Sequence, residues 1–273
     1  MSRFRSEAAE LDGRASMSEF GATDATPEAQ GDRKLRFDRR LRRELGAFYQ
    51  RAVRPALPLR GHVRYGGVIV ADRRFGDQWA PRHWRPDHED DKPDYEFALL
   101  GGLSRAARWG DTIVVVGGGL GVTAAHAAKL VGSSGRVVCY EGSPRLAQRV
   151  AETAALNGVG GRVEVESAIV GAAISVYRGR GETLPPILPP AELPECDVLE
   201  LDCEGAEIAI LSDMRISPRV ALVETHGMLG APSREVRRIL EERGYAVTDL
   251  GIAEPSLAEF CEKNDVRVLL GER

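Results

Sequence analysis

The segment Ile113–Ala125, IVVVGGGLGVTAA, decides the fold of this chain. Its first four residues are β-branched and carry no polar side chain on either face, the composition of a strand buried on both sides. Glycine then takes over at Gly117, Gly118, Gly119 and Gly121, and the run from Val122 reads as a helix. A strand that ends in glycines and opens a helix presents backbone N–H groups where a ligand can approach without meeting a Cβ. Four glycines within five positions exceed what a tight turn needs, so Gly117, Gly118, Gly119 and Gly121 are read as a cofactor loop.

Downstream of this segment, apolar strand-like runs alternate with amphipathic helical runs, the sequence form of an α/β, doubly wound, mostly parallel sheet. Strands are expected at Thr112 to Val116, Arg136 to Glu141, Arg162 to Ser167, Asp197 to Asp202, Val220 to Glu224, Ala246 to Leu250 and Val266 to Leu270. Helices are expected near Gly121 to Val131, Pro144 to Leu156, Gly205 to Leu211 and Ser233 to Arg243. Between the third and fourth strands, Pro185, Pro186, Pro189, Pro190 and Pro194 disfavour a helix, and a hairpin-like strand at Ile174 to Tyr177 with an extended connection is expected instead. Tyr95 to Trp109 reads as a helix leading into the sheet.

Upstream, the expected divisions are a disordered tail over 1–32, a basic helix and loop-rich region over 33–94, and the main domain over 95–273. The basic helix sets Arg36, Arg39, Arg40, Arg42 and Arg43 around Phe37, Leu41, Leu45 and Phe48 at helical spacing. It is expected to pack on the main domain, with docking on a membrane surface or partner as the alternative. Gly66-Gly67 and Val68-Ile69-Val70 then mark a strand or hairpin, followed by a long loop whose His83, His88, Glu89, Asp90 and Asp91 are read as solvated.

The 273 residues are 43% apolar and 29% charged, with no apolar run near the roughly 20 residues that cross a bilayer and no charged-then-apolar leader. A cytoplasmic protein is therefore expected, with membrane contact limited to the periphery. Lysine and arginine number 37 against 41 acids, a net charge of −4 that gives no global footprint for nucleic acid. The four cysteines form no C-x-x-C pair and have no histidine at ligand spacing, so neither a metal site nor a disulfide framework is expected.

The second strand ends at Glu141, about twenty positions beyond the glycine loop, where nucleotide-binding sheets keep an acid for the ribose hydroxyls. Asp202 closes the fourth strand, Glu204 and Glu207 follow on the opening turn of the next helix, and the fifth strand delivers Glu224-Thr225-His226 to the same edge. The carboxyl ends of the first and fourth strands flank the crevice where such sheets bind ligands. Two adenosine cofactors fit these residues. A dinucleotide would use the register Gly119, Gly121, Ala124, and S-adenosylmethionine needs the loop and the acid without a pyrophosphate fingerprint.

The stretches Gly117 to Gly121, Glu141-Gly142-Ser143-Pro144, Asp202-Cys203-Glu204-Gly205-Ala206-Glu207 and Glu224-Thr225-His226 resemble the motifs of the FkbM-type family of S-adenosylmethionine-dependent methyltransferases. The resemblance spans roughly Tyr95 to Arg273. It implies a Rossmann-like class I methyltransferase fold with a seven-stranded sheet whose last strand is antiparallel. It also implies methyl transfer from S-adenosylmethionine to a hydroxyl of a small-molecule, sugar or glycolipid-like acceptor, with Gly117, Gly118, Gly119, Gly121 and Glu141 binding the cofactor. The candidate catalytic residues are His226, Asp202 and Glu204. His226 is the candidate base, because an imidazole with an ordinary pKa near 6.5 suits proton abstraction at neutral pH. Val115 stands where the family has aspartate, Gly119 where it has asparagine, and Glu200 where it usually has lysine. An NAD(P)-dependent oxidoreductase and a non-catalytic methyltransferase-like binding module are the competing readings.

Overall fold

The computed structural model describes residues 44–46, 48–53, 56, 59–74, 91–171 and 185–273. The expected tail, most of the basic helix, the loop carrying His83 and His88, and the expected strand at Ile174 to Tyr177 lie outside the described residues. In the part of the basic helix that is described, the backbone is helical, and Leu45 and Phe48 are 42% and 63% exposed.

The chain enters through a hairpin, β1 (Leu59–Tyr65) and β2 (Val68–Arg74), and then α1 (Phe97–Ala106). The alternation follows as β3 (Thr112–Val116), α2 (Val122–Leu130), β4 (Arg136–Tyr140), α3 (Pro144–Leu156) and β5 (Val163–Glu166). A short parallel pair, β6 (Ile169–Val170) and β7 (Ile187–Leu188), precedes β8 (Val198–Leu201), α4 (Glu207–Asp213), β9 (Val220–Glu224) and α5 (Ser233–Glu242). The chain closes with β10 (Ala246–Ile252), α6 (Ala258–Asn264) and β11 (Arg267–Glu272). Helix α3 starts where its sequence says it should. Pro144 occupies its first turn, and the Ser143 hydroxyl accepts the Leu146 N–H at 3.4 Å.

The seven-stranded sheet has the order β10-β11-β9-β8-β3-β4-β5, parallel throughout except for β11, which runs antiparallel to both β9 and β10. Counted in chain order within the sheet, this is third, second, first, fourth, fifth, seventh, sixth. That is the class I methyltransferase arrangement the motifs implied, and it differs from the all-parallel 3-2-1-4-5-6 dinucleotide order. Alternate residues of each strand feed two cores. Ile113, Val115, Val137, Val198 and Leu222 pack beneath α1, α2 and α3, whereas Val114, Val116, Leu199, Leu201 and Val223 pack against α4 and α5. The order reverses between β3 and β8, so their carboxyl ends open the crevice.

Three local features depart from the expectations. Helix α4 begins at Glu207 rather than Gly205, because Glu204 and Gly205 take φ of 54° and 104°, which no right-handed helix admits. Helix α6 was not expected, since only Cys261 of its residues is buried and it offers no apolar stripe to read. The β6–β7 pair is two residues long on each side, below the length at which a pattern is visible.

Candidate active site

One wall of the crevice is the glycine loop. Gly117 donates its N–H to the Tyr140 carbonyl at 2.9 Å, and a Cβ at this position would collide with the Asp202 carbonyl oxygen. Its glycine is therefore required by the contact between the ends of β3 and β8. Gly119 differs: φ is 51°, and nothing lies within 4 Å of where a Cβ would stand, so this residue faces open space. Its N–H donates to Glu141 Oε2 at 2.7 Å, and Glu141 Oε1 accepts the Ser143 N–H at 2.7 Å. The Thr153 hydroxyl ties α3 to the same loop by donating to the Leu120 carbonyl at 2.7 Å. Glu141 thus clamps the loop through backbone N–H groups, and its two oxygens keep acceptor capacity beyond them. Burial raises its pKa, and the N–H groups of Ser143, Gly119 and Gly118 oppose that rise.

The other wall is built on the ends of β8 and β9. His226 closes a tight turn in which its N–H donates to the Ala231 carbonyl at 3.0 Å and its carbonyl accepts the Leu229 N–H at 2.9 Å. The ring is buried, with Nδ1 2.9 Å from Glu207 Oε1. Nε2 faces three further carboxylates: Asp202 Oδ1 at 3.5 Å, Glu224 Oε1 at 3.7 Å and Glu204 Oε2 at 3.9 Å. Burial alone would lower the His226 pKa, but the Glu207 hydrogen bond and the charges of Asp202, Glu207 and Glu204 prevail and push it up to about 9. At neutral pH the ring is an imidazolium, which corrects the assumption of an ordinary histidine pKa. Burial also raises Asp202, with His226 working against the rise and Glu204, Glu207 and Glu141 adding to it.

Behind this edge lies a group of acids that single-residue reading did not connect. Glu200 stands in register between Val115 and Leu222. It is fully buried, with no hydrogen-bond partner for either oxygen, and the Thr123 hydroxyl lies near it without a well-formed bond. Two of the three departures from the family motifs, at Val115 and Glu200, are therefore one cross-strand pair. Glu96, in the left-handed region at φ 49° just before α1, has its pKa pushed up to about 8 by burial and the Asp202 charge. Burial, followed by the charges of Asp202, Glu96 and Glu200, likewise raises Glu224 well above its usual range. Glu96 was missed because the signal for it is tertiary: nothing in YEFALLGG marks its glutamate as facing strands that come later in the chain.

The structure therefore brings together all three candidate catalytic residues, His226, Asp202 and Glu204, and adds Glu207 and Glu224. They lie at the same sheet edge as Gly117, Gly118, Gly119, Gly121 and Glu141, where the backbone of Gly117 packs against that of Asp202. Asp202, Glu224 and His226 each offer one ligand atom within 4.8 Å of the others, a donor set with the composition of a divalent-cation site. Sequence spacing gave no sign of this set, since its members come from two different strand ends.

No protein-family profile matches the chain, nor does any curated protein. Among solved structures, it is similar to precorrin-6y C5,15-methyltransferase of Geobacter metallireducens, at 14% identity over 69% of this chain and 92% of that one, with a TM-score of 0.46. It is also similar to an O-methyltransferase of Streptomyces achromogenes involved in tomaymycin synthesis, in complex with SAM, at 20% identity, 69% and 82% coverage and a TM-score of 0.41. A third is an O-methyltransferase of Bacillus cereus in complex with SAH, at 17% identity, 69% and 84% coverage and a TM-score of 0.41. The fold rests on the strand order itself.

Proposed function

We propose that this chain is an S-adenosylmethionine-dependent methyltransferase acting on a hydroxyl of a small-molecule, sugar or glycolipid-like acceptor, as its FkbM-like motifs imply. The observation that carries this reading is the strand order: an antiparallel last strand between the fifth and sixth, with the glycine loop and the Asp202–His226 cluster meeting at the carboxyl ends of the strands beside the switch point. The fit to the cofactor rests on Gly119, which leaves open space where a side chain would stand, and on Glu141, whose oxygens retain acceptor capacity beside it. Gly117, Gly118, Gly119, Gly121 and Glu141 would hold the cofactor. When bound, it supplies an electrophilic methyl group on a sulfonium.

The chain's own residues then position the acceptor and remove its proton. His226 Nε2 is the proposed base, with Asp202 and Glu204 holding the hydroxyl beside it. The imidazolium must first lose its proton, so turnover is expected to rise with pH toward the His226 pKa of about 9.

Isothermal titration of the full chain with S-adenosylhomocysteine, NAD and NADP tests the cofactor. S-adenosylhomocysteine is expected to bind, and both dinucleotides to bind more weakly or not at all. Preference for NAD would replace this reading with the oxidoreductase one while leaving the fold unchanged.

A further inference from the structure

We infer that Glu207 is a positioning residue for His226: its carboxylate holds the ring with Nδ1–H turned inward, so that Nε2 is the nitrogen presented to the crevice. Glu207 is fully buried on the first turn of α4 and is itself fixed before it meets the ring. Its Oε1 accepts the N–H groups of Cys203 and Gly205, both at 3.2 Å, and lies 2.9 Å from His226 Nδ1. A carboxylate that accepts only leaves Nδ1 as the donor, and the neutral ring can then carry its proton nowhere else. Burial works to raise the Glu207 pKa, but the His226 hydrogen bond and charge and the backbone N–H groups bring it below the ordinary value, so it stays ionised.

Every other acid packed around the ring lies on the Nε2 side or is engaged elsewhere. Asp202 and Glu204 come from the turn after β8 and Glu224 from the end of β9, at 3.5, 3.9 and 3.7 Å from Nε2. Asp265, on the turn against which Gly227 packs, accepts the Ser233 N–H and hydroxyl, both at 2.7 Å. None of the three around Nε2 is within 2.9 Å, so Glu207 makes the shortest contact and sets the orientation. The catalytic use of Nε2 rests on the methyl-transfer reading. The orientation of the ring does not.

The test is nitrogen NMR of the full chain labelled at histidine, which has five such residues, with His226 assigned by its loss in His226→Asn. In the unsubstituted protein, above its pKa, His226 is expected as the Nδ1–H tautomer, and an Nε2–H tautomer overturns the proposal without any variant needing to fold. In Glu207→Met, which removes the acceptor at Nδ1, the Nδ1–H preference is expected to be lost to a mixture of tautomers. An unchanged Nδ1–H tautomer in that variant overturns the orientation by Glu207. Loss of the preference with undiminished turnover overturns its role in the reaction and sends the base assignment elsewhere. If no hydroxyl acceptor is methylated at all, the methyl-transfer reading fails, and the tautomer still decides the orientation.

Discussion

Burial pushes the Glu200 pKa well above the usual carboxylate range, since both carboxyl oxygens are enclosed without partners, and Asp202 and Glu96 add to the rise. The sign of the resulting pH dependence is fixed. The unfolded chain releases this proton near pH 4.3, whereas the folded chain holds it to a much higher pH, so stability from this group is complete below pH ~4.3 and falls as pH rises toward the folded pKa. Glu200→Gln keeps the shape and removes the titration. It should leave stability nearly unchanged at pH 4 and gain up to about 1.4 kcal/mol on the native protein for each pH unit above that. Chemical denaturation at pH 4, 6 and 8 measures this, and equal stability of the two proteins at pH 8 would show that Glu200 is charged in the fold.

Among the elements, the carboxyl end of β4 and the turn from β3 into α2 are held together by a single side chain. The sequence marks Glu141 as a ribose acceptor, and the structure shows its two oxygens accepting Gly119 and Ser143 N–H groups. Glu141→Ala would orphan both donors. It should therefore cost on the order of 2 kcal/mol of stability, in addition to a ten- to hundredfold loss of S-adenosylhomocysteine affinity, at about 1–3 kcal/mol for hydrogen bonds to a charged group. Thermal melting and titration calorimetry on the same sample separate the two effects. Weakened binding with an unchanged melting temperature would mean that the clamp contributes nothing to the folded loop. The turn after β8 shows the converse relation between residue and element. Glu204 and Gly205, expected at the opening of the helix, instead take left-handed backbone, and the helix starts at Glu207, whose Oε1 lies 2.9 Å from His226 Nδ1.

Across the whole molecule, the two cores draw their described buried residues from Val63 onward, with the hairpin β1–β2 completing the face over α2 and α3. Asn157 at the end of α3 fastens that hairpin by accepting the Ile69 N–H at 3.2 Å and donating to its carbonyl at 2.8 Å. Residues 1–32 carry no sustained hydrophobic period, so their deletion should leave the melting temperature and S-adenosylhomocysteine affinity as they are in the full chain. A truncated protein that unfolds or loses affinity would show that the segment contributes to the fold. Within the described residues, no helix is long and apolar enough to cross a membrane. The sequence by itself determined the alternation of strands and helices, the bounds of β3, β9 and α3, the glycine loop and the convergence of Asp202, Glu204 and His226 on one edge. Those features follow from hydrophobic period, proline and glycine, which act on neighbours along the chain. Only the tertiary structure decided that Val115 faces Glu200, that Glu96 joins the acids behind the crevice and that four carboxylates surround one imidazole. Charge and desolvation act through space, and the distances that set their strength exist only once strands remote in sequence lie side by side.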